Sequence, residues 1–272
     1  MTATAPSAAA RPSAVAIMQP YLFPYIGYFQ LIAAVDEFVI YDTAKYTKKG
    51  WINRNRYLRD GEPIVFTLPL EKDGDHLDIR ERRVAASYAP DRLCAQIAQA
   101  YRRAPHVDET MPLVESALRY QGATLFDHLR NALVRTCAHL GIDTPIRIAS
   151  EIEGDTDLRC QDRVLGLCER LGATSYINPI GGTALYDPVA FARRGIALRF
   201  LRARPVAYDQ GPRPFVPWLS IIDVMMFTPR PSLRAMLTES YDLLVGEGPG
   251  PASQSLGEPA ALPAPRCASA AA

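Results

Sequence analysis

Between Val15 and Tyr41 the chain sets a helical pattern between two short apolar runs, and few folds accommodate that order. Val15-Ala-Ile-Met18 is apolar and closed by Pro20, the pattern of a buried strand. From Tyr25 to Val35 the apolar residues fall on a helical spacing, and Phe38-Val-Ile-Tyr41 is strand-like again. Strand, turn, helix and strand in so short a span predict a βαβ unit. Its two strands lie parallel in one sheet, joined by a right-handed crossover.

The same rhythm extends along the chain. Ile64-Val-Phe-Thr-Leu68 reads as a further strand, and a helical block follows over about 89–140. Its helices are predicted at Asp91–Tyr101, Asp108–Tyr120 and Leu125–Leu140, the last stopped by Gly141. Then come a strand at Ile146–Ala149, a helix at about Asp157–Leu171 stopped by Gly172, a strand at Thr174–Asn178, a short helix at Pro188–Arg194 and a strand at Ile196–Phe200. Ser220 opens an apolar helix ending near Phe227. The expected fold is α/β: a mainly parallel sheet with flanking helices and the helical block inserted. Residues 1–13 and 246–272 are rich in Ala, Pro and Ser, so disordered tails are expected around one domain at 14–245.

Composition excludes several classes. Thirty Lys and Arg against 29 Asp and Glu give a net charge of +1, so no nucleic-acid or membrane partner is expected. Five cysteines show no CxxC pairing, which predicts neither a metal site nor a disulfide framework; Cys94, Cys137 and Cys168 sit on helical apolar patterns as small hydrophobes. His128 and His139 are too far apart on one helix to share a metal, and no Ser-His-Asp or Cys-His spacing is present. No metal or other cofactor is therefore expected. With no apolar run of about 18 residues and no secretory signal, a cytoplasmic location is expected.

Ligands of parallel sheets bind beyond the carboxyl ends of the strands, which directs attention to three segments. After the first strand, Gln19 places a polar side chain at a strand end, and Tyr21, Tyr25 and Tyr28 follow on a loop stiffened by Pro20 and Pro24. An aromatic packing motif is the competing account. After the second strand come Asp42, then Trp51, Asn53, Arg54, Asn55 and Arg56; guanidinium and carboxamide groups suit bidentate recognition of phosphate, carboxylate or sugar hydroxyls. Lys45, Lys48 and Lys49 read as surface charges. After the third strand end, Asn178-Pro-Ile-Gly-Gly182 can present backbone N–H groups from Gly181 and Gly182, or can be a plain turn. Ser220 is a candidate N-cap. Asp223 lies among apolar residues, where a lone charge is costly, so a partner such as Arg54 or Arg56 is expected.

These residues resemble the WbqC-like family. The matching pieces are Ile17-Met-Gln-Pro-Tyr-Leu-Phe-Pro-Tyr-Ile-Gly-Tyr-Phe-Gln-Leu-Ile32, Asp36-Glu-Phe-Val-Ile-Tyr-Asp42, Gly50-Trp-Ile-Asn-Arg-Asn-Arg56, Gly172-Ala-Thr-Ser-Tyr-Ile-Asn178 with Gly181-Gly182, Leu185-Tyr186, Phe191, Gly195-Ile196 and Leu219-Ser-Ile-Ile-Asp223 through Phe227. At Asp42-Thr43 a second acidic residue is missing, a departure that weakens any paired-carboxylate role. The family takes its name from bacterial O-antigen gene clusters, and relatives occur beside specialised-metabolite genes. The resemblance implies a transferase forming an amide on a small amine or amino sugar, with an acyl or aminoacyl donor or a carrier protein as partner. Gln19, Tyr25, Tyr28, Asp42 and Asp223 are then the candidate reacting or orienting groups, and Tyr21, Trp51, Asn53, Arg54, Asn55, Arg56, Asn178, Gly181, Gly182 and Ser220 the candidate substrate contacts. Pro24-Tyr25-Ile26-Gly27-Tyr28 also resembles, by analogy, the P-x-H-x-G-H region of nucleotidylyltransferase-like folds with tyrosines for histidines. This keeps a nucleotidyl-transferring or nucleotide-binding enzyme open as an alternative. A non-catalytic sugar- or carrier-protein-binding accessory role is the third reading.

Overall fold

Alternation along the first strand decides how the layers stack. In the computed structural model, which describes residues 14–246 apart from Lys49, Asp75 and 153–157, β1 (Ala14–Met18) turns Val15 and Ile17 to one face and Ala16 and Met18 to the other. Both sets are buried, as a strand covered by helices on two sides requires. Helix α1 (Ile26–Ala33) and strand β2 (Glu37–Ile40) complete the expected βαβ unit, with Val15–Met18 paired in parallel to Glu37–Ile40.

Next in the chain are β3 (Arg54–Arg59) and β4 (Glu62–Thr67), an antiparallel hairpin forming a sheet of its own. Arg54–Arg56, expected in a loop, thus begin a strand. The inserted helices are α2 (Pro90–Ala100), α3 (Val107–Leu118) and α4 (Leu125–Leu140). The α/β alternation resumes with β5 (Ile146–Ile148), α5 (Cys160–Leu171), β6 (Ser175–Pro179), α6 (Pro188–Ala192) and β7 (Ala197–Ala203). Helices α7 (Ile221–Phe227) and α8 (Arg230–Glu239) and the strand β8 (Tyr241–Val245) close the described chain. Gly141 and Gly172 stop α4 and α5 in the left-handed conformation, at φ 69° and 68°, as their positions after the apolar stripes predict.

The main sheet has the order β5-β2-β1-β6-β7-β8, parallel throughout except for β8. One face buries Ala16, Met18, Phe38 and Ile40 in a core shared with residues of α1, α4, α7 and α8. The other buries Val15, Ile17, Val39, Tyr176 and Phe200 with α5 and with Phe191 of α6. Cys94, Cys137 and Cys168 are buried free thiols, and burial pushes the last two up to about 12. Cys160 departs from the expectation of unpaired cysteines, being disulfide-bonded. The expected tails at 1–13 and 247–272, and the expected helix start at Asp157, lie outside the described residues. Gly246, assigned to the second tail, still donates its N–H to Leu198.

Candidate functional site

Counting only the strands of the main sheet, its order reads 3-2-1-4-5-6, so the direction of winding reverses between β1 and β6. Doubly wound sheets bind their ligands at the carboxyl ends of the two strands that flank such a reversal. Here those strands also part. β1 pairs with β2 along four positions, but with β6 only at Ala14↔Ser175 and Val15↔Tyr176. Beyond that point each strand runs on, β1 to Met18, which precedes Gln19, and β6 through Asn178 to Pro179.

Gln19 is 4% exposed, and its Oε1 accepts from Tyr21 at 3.3 Å. Its amide nitrogen has no partner among the described residues. Tyr28 donates to the Gln19 carbonyl at 2.8 Å, which fixes the turn out of β1. Asp42, 1% exposed at the end of β2, accepts the Ser150 N–H on Oδ1 at 3.0 Å; Oδ2 accepts nothing from the described residues. Asn178 is fully buried, accepts from the Tyr176 hydroxyl at 3.2 Å and donates to the Pro179 carbonyl. Gly181 and Gly182 lie in the 3-10 turn Ile180–Leu185, the first exposed and the second buried.

Sequence reasoning passed over the groups around Asn178. The Tyr176 and Tyr186 hydroxyls bond at 3.1 Å, and burial raises both phenols, Tyr186 to about 12. Tyr41 is raised by burial too, against the pull of the Arg163 and Arg159 charges near the start of α5. Two arginines opening a helix that follows a parallel strand were the available signal.

The Gln19–Tyr28 loop and the Trp51–Arg56 segment are bonded directly to one another. Leu22 donates its N–H to the Ile52 carbonyl at 2.9 Å, and Asn55 donates from Nδ2 to the carbonyls of Leu22 and Phe23 at 3.0 and 2.7 Å. Ser220 adds a third bond, from Oγ to the Phe23 carbonyl at 2.8 Å, and caps α7 by accepting from Ile222. Phe23 sits at φ 43°, a region costly for a bulky residue, and these donors hold it there. Asn55 and Ser220 are therefore clamps. Asn53, 6% exposed, is similarly engaged with Tyr46 and the Leu68 carbonyl.

Asp223 does not pair with Arg54 or Arg56. Its fully buried carboxylate accepts from Tyr101 at 2.7 Å, Tyr208 at 2.6 Å and Gln210 at 2.8 Å. Burial raises its pKa, and the three donors hold that rise back. Tyr101 also accepts the Leu58 N–H, so the carboxylate ties α7 to β3, to the end of α2 and to the 208–210 loop. A cavity of about 220 Å³ reaches Tyr101 and Gln210 but not Asp223.

On the outer side of the hairpin the half-buried Trp51 has the Arg54 guanidinium 5.3 Å and the Arg56 guanidinium 5.2 Å from its ring centroid. Arg54 donates from Nε to the Gly50 carbonyl. Arg56 donates to the carbonyl of Trp218, whose indole meets the Tyr25 ring edge-on at 5.8 Å. A Cβ at Gly27 would overlap that tyrosine ring, so glycine is what lets Tyr25 lie over the start of α1.

Sheet order and parted strands define a doubly wound α/β protein whose direction of winding reverses between β1 and β6. The chain belongs to the WbqC-like protein family, which matches residues 19–235. Rv1507c of Mycobacterium tuberculosis (strain ATCC 25618 / H37Rv), described as an uncharacterized protein, is 31% identical over 214 residues, covering 78% of this chain and 92% of its own length. No solved structure matches. No helix among the described residues is long and apolar enough to cross a membrane.

Proposed function

We propose that this chain is a transferase that places an acyl or aminoacyl group on the nitrogen of a small amine, with amino sugars as the favoured acceptors. The observation that carries the proposal is the parting of β1 from β6, with the Gln19 side chain, whose amide nitrogen has no partner among the described residues, just past the end of β1. A donor at such a strand end suits the oxygen of an acyl carbonyl, which gains negative charge when an amine attacks. In the step proposed, the amine nitrogen bonds to the carbonyl carbon of an activated ester or thioester, and the bond to the leaving group breaks. The proton lost by nitrogen passes to Asp42, through its unengaged oxygen, and then to the departing group. Tyr28 positions Gln19, and Asp223 positions the hairpin through Tyr101. Asn178, Gly181 and Gly182 border the acceptor.

Thermal-shift screening against acyl donors, amino sugars and nucleotides tests this, since a ligand of the folded state raises Tm. Amino sugars or acyl donors are expected to stabilise the protein, with the shift lost in Gln19→Ala; mass spectrometry of a donor and amino-sugar mixture should show the amide, lost in Asp42→Asn. The strand order and the two arginines favour a second reading, nucleotidyl transfer. A nucleoside triphosphate that stabilises strongly while amino sugars and acyl donors do nothing would put that reading first.

A further inference from the structure

The chain has two tryptophans, and both lie on one half-exposed row: Tyr25, Trp218, Arg56, Trp51, Arg54. Tyr25 meets Trp218, the Trp218 carbonyl meets Arg56, and both guanidiniums lie over Trp51. Large amphipathic rings are usually buried or placed for contact with a ligand. Trp218 is also held at φ 60°, an uncommon conformation for so bulky a residue, and Arg56 bonds the carbonyl this exposes.

Arg56 itself is under-satisfied. Its Nε is buried with no acceptor, and no carboxylate among the described residues forms an ion pair with it. A guanidinium has five N–H donors, and one carbonyl leaves most of them unused. Stem packing and the indole face account for where the side chain lies, but not for the missing acceptor. An arriving phosphate oxygen can meet the terminal N–H groups of this half-exposed side chain, because the guanidinium fork matches phosphate geometry and the neighbouring rings can cover a flat or sugar ring.

We propose that this row is a recognition strip for a ring carrying a phosphate group, with the phosphate on Arg56 and the ring against Trp51 or Trp218. This deepens the transfer reading and rests on it: the acceptor is then a phosphorylated or nucleotide-linked amino sugar. The Gln19–Tyr28 loop joins the strip to the end of β1, with Tyr25 at one and Gln19 at the other.

Because both indoles are in the strip, the intrinsic fluorescence of the full chain reports its occupancy. The titrants are glucosamine with glucosamine 6-phosphate, uridine with UDP, a UDP-linked amino sugar, and inorganic phosphate. Saturable quenching is expected from the phosphorylated rings, with at least tenfold weaker binding by the unphosphorylated member of each pair. Arg56→Gln should weaken the phosphorylated ligands about tenfold or more. Arg56→Lys, a second variant should the first fail to fold, keeps the charge without the fork and should weaken them severalfold. Equal binding within each pair, or unchanged binding in a folded Arg56 variant, would overturn the strip. UDP without the sugar separates the nucleotide source of phosphate from the sugar phosphate. Amide formation on unphosphorylated glucosamine without quenching would refute the strip and leave the transfer reading standing. Quenching without amide formation would do the reverse.

Discussion

Asp223 was expected to pair with Arg54 or Arg56, and the structure puts Asp223 and Arg56 in opposite conditions. The carboxylate is fully buried and receives three hydrogen bonds from three side chains. The guanidinium is only partly buried, yet it gives one bond to a carbonyl and keeps a buried N–H with nothing to meet. A charge surrounded by donors holds elements together, because removing any member strands the others. A charge left short of acceptors contributes little to the fold and is available to a ligand. The same contrast separates Asn55, whose amide is spent on two loop carbonyls, from Gln19, whose amide nitrogen is not.

Stability measurements can break that contrast. The largest loss is expected for Asp223→Ala, which strands two hydroxyls and a carboxamide in the interior and should cost about 3–4 kcal/mol in urea unfolding. Asn55→Ala leaves the Leu22 and Phe23 carbonyls short of a donor and should cost about 2–3 kcal/mol. A smaller effect, about 1 kcal/mol, is expected for Ser220→Ala, since Asn55 still holds Phe23. Arg56→Gln should change stability least, by less than about 1 kcal/mol, while losing the phosphate-dependent fluorescence change. A cost for Arg56→Gln equal to that for Asp223→Ala would erase the distinction.

Acid titration sharpens it. Burial raises the Asp223 pKa above its ordinary 3.8, so between that value and the raised one the folded state holds more proton than the unfolded state. Stability attributable to this group therefore falls as pH rises through that window. Asp223→Asn, followed by urea midpoints across the acid range, should remove this component; an unchanged pH dependence would mean that the carboxyl is not desolvated.

The βαβ start, the inserted helices and the glycine stops could be read from the sequence because each depends on local periodicity or on a left-handed residue. The hairpin was harder. Arg54 and Arg56 point outward while Asn55 and Tyr57 point inward, a strand alternation hidden because one inward residue is polar. Helix α8, with only Leu233 and Leu237 buried, carries too narrow an apolar stripe to stand out. Residue types directed attention to Gln19, Asp42 and Asn178, and the structure places them at or near the carboxyl ends of β1, β2 and β6. Which polar groups are spent and which are left over depends on partners far along the chain, such as Ser220 on Phe23 or Tyr101 on Asp223, and no local pattern carries that. Tyr101, Tyr208, Gln210 and Trp218 were missed for this reason.

The most direct measurement is a crystal structure with a phosphorylated amino sugar bound. The expected result places its phosphate within hydrogen-bonding distance of Arg56 and its amine in the opening between β1 and β6, near the Gln19 amide. A ligand lodged instead in the cavity beside Tyr101 and Gln210, with Arg56 and Gln19 untouched, would contradict the account.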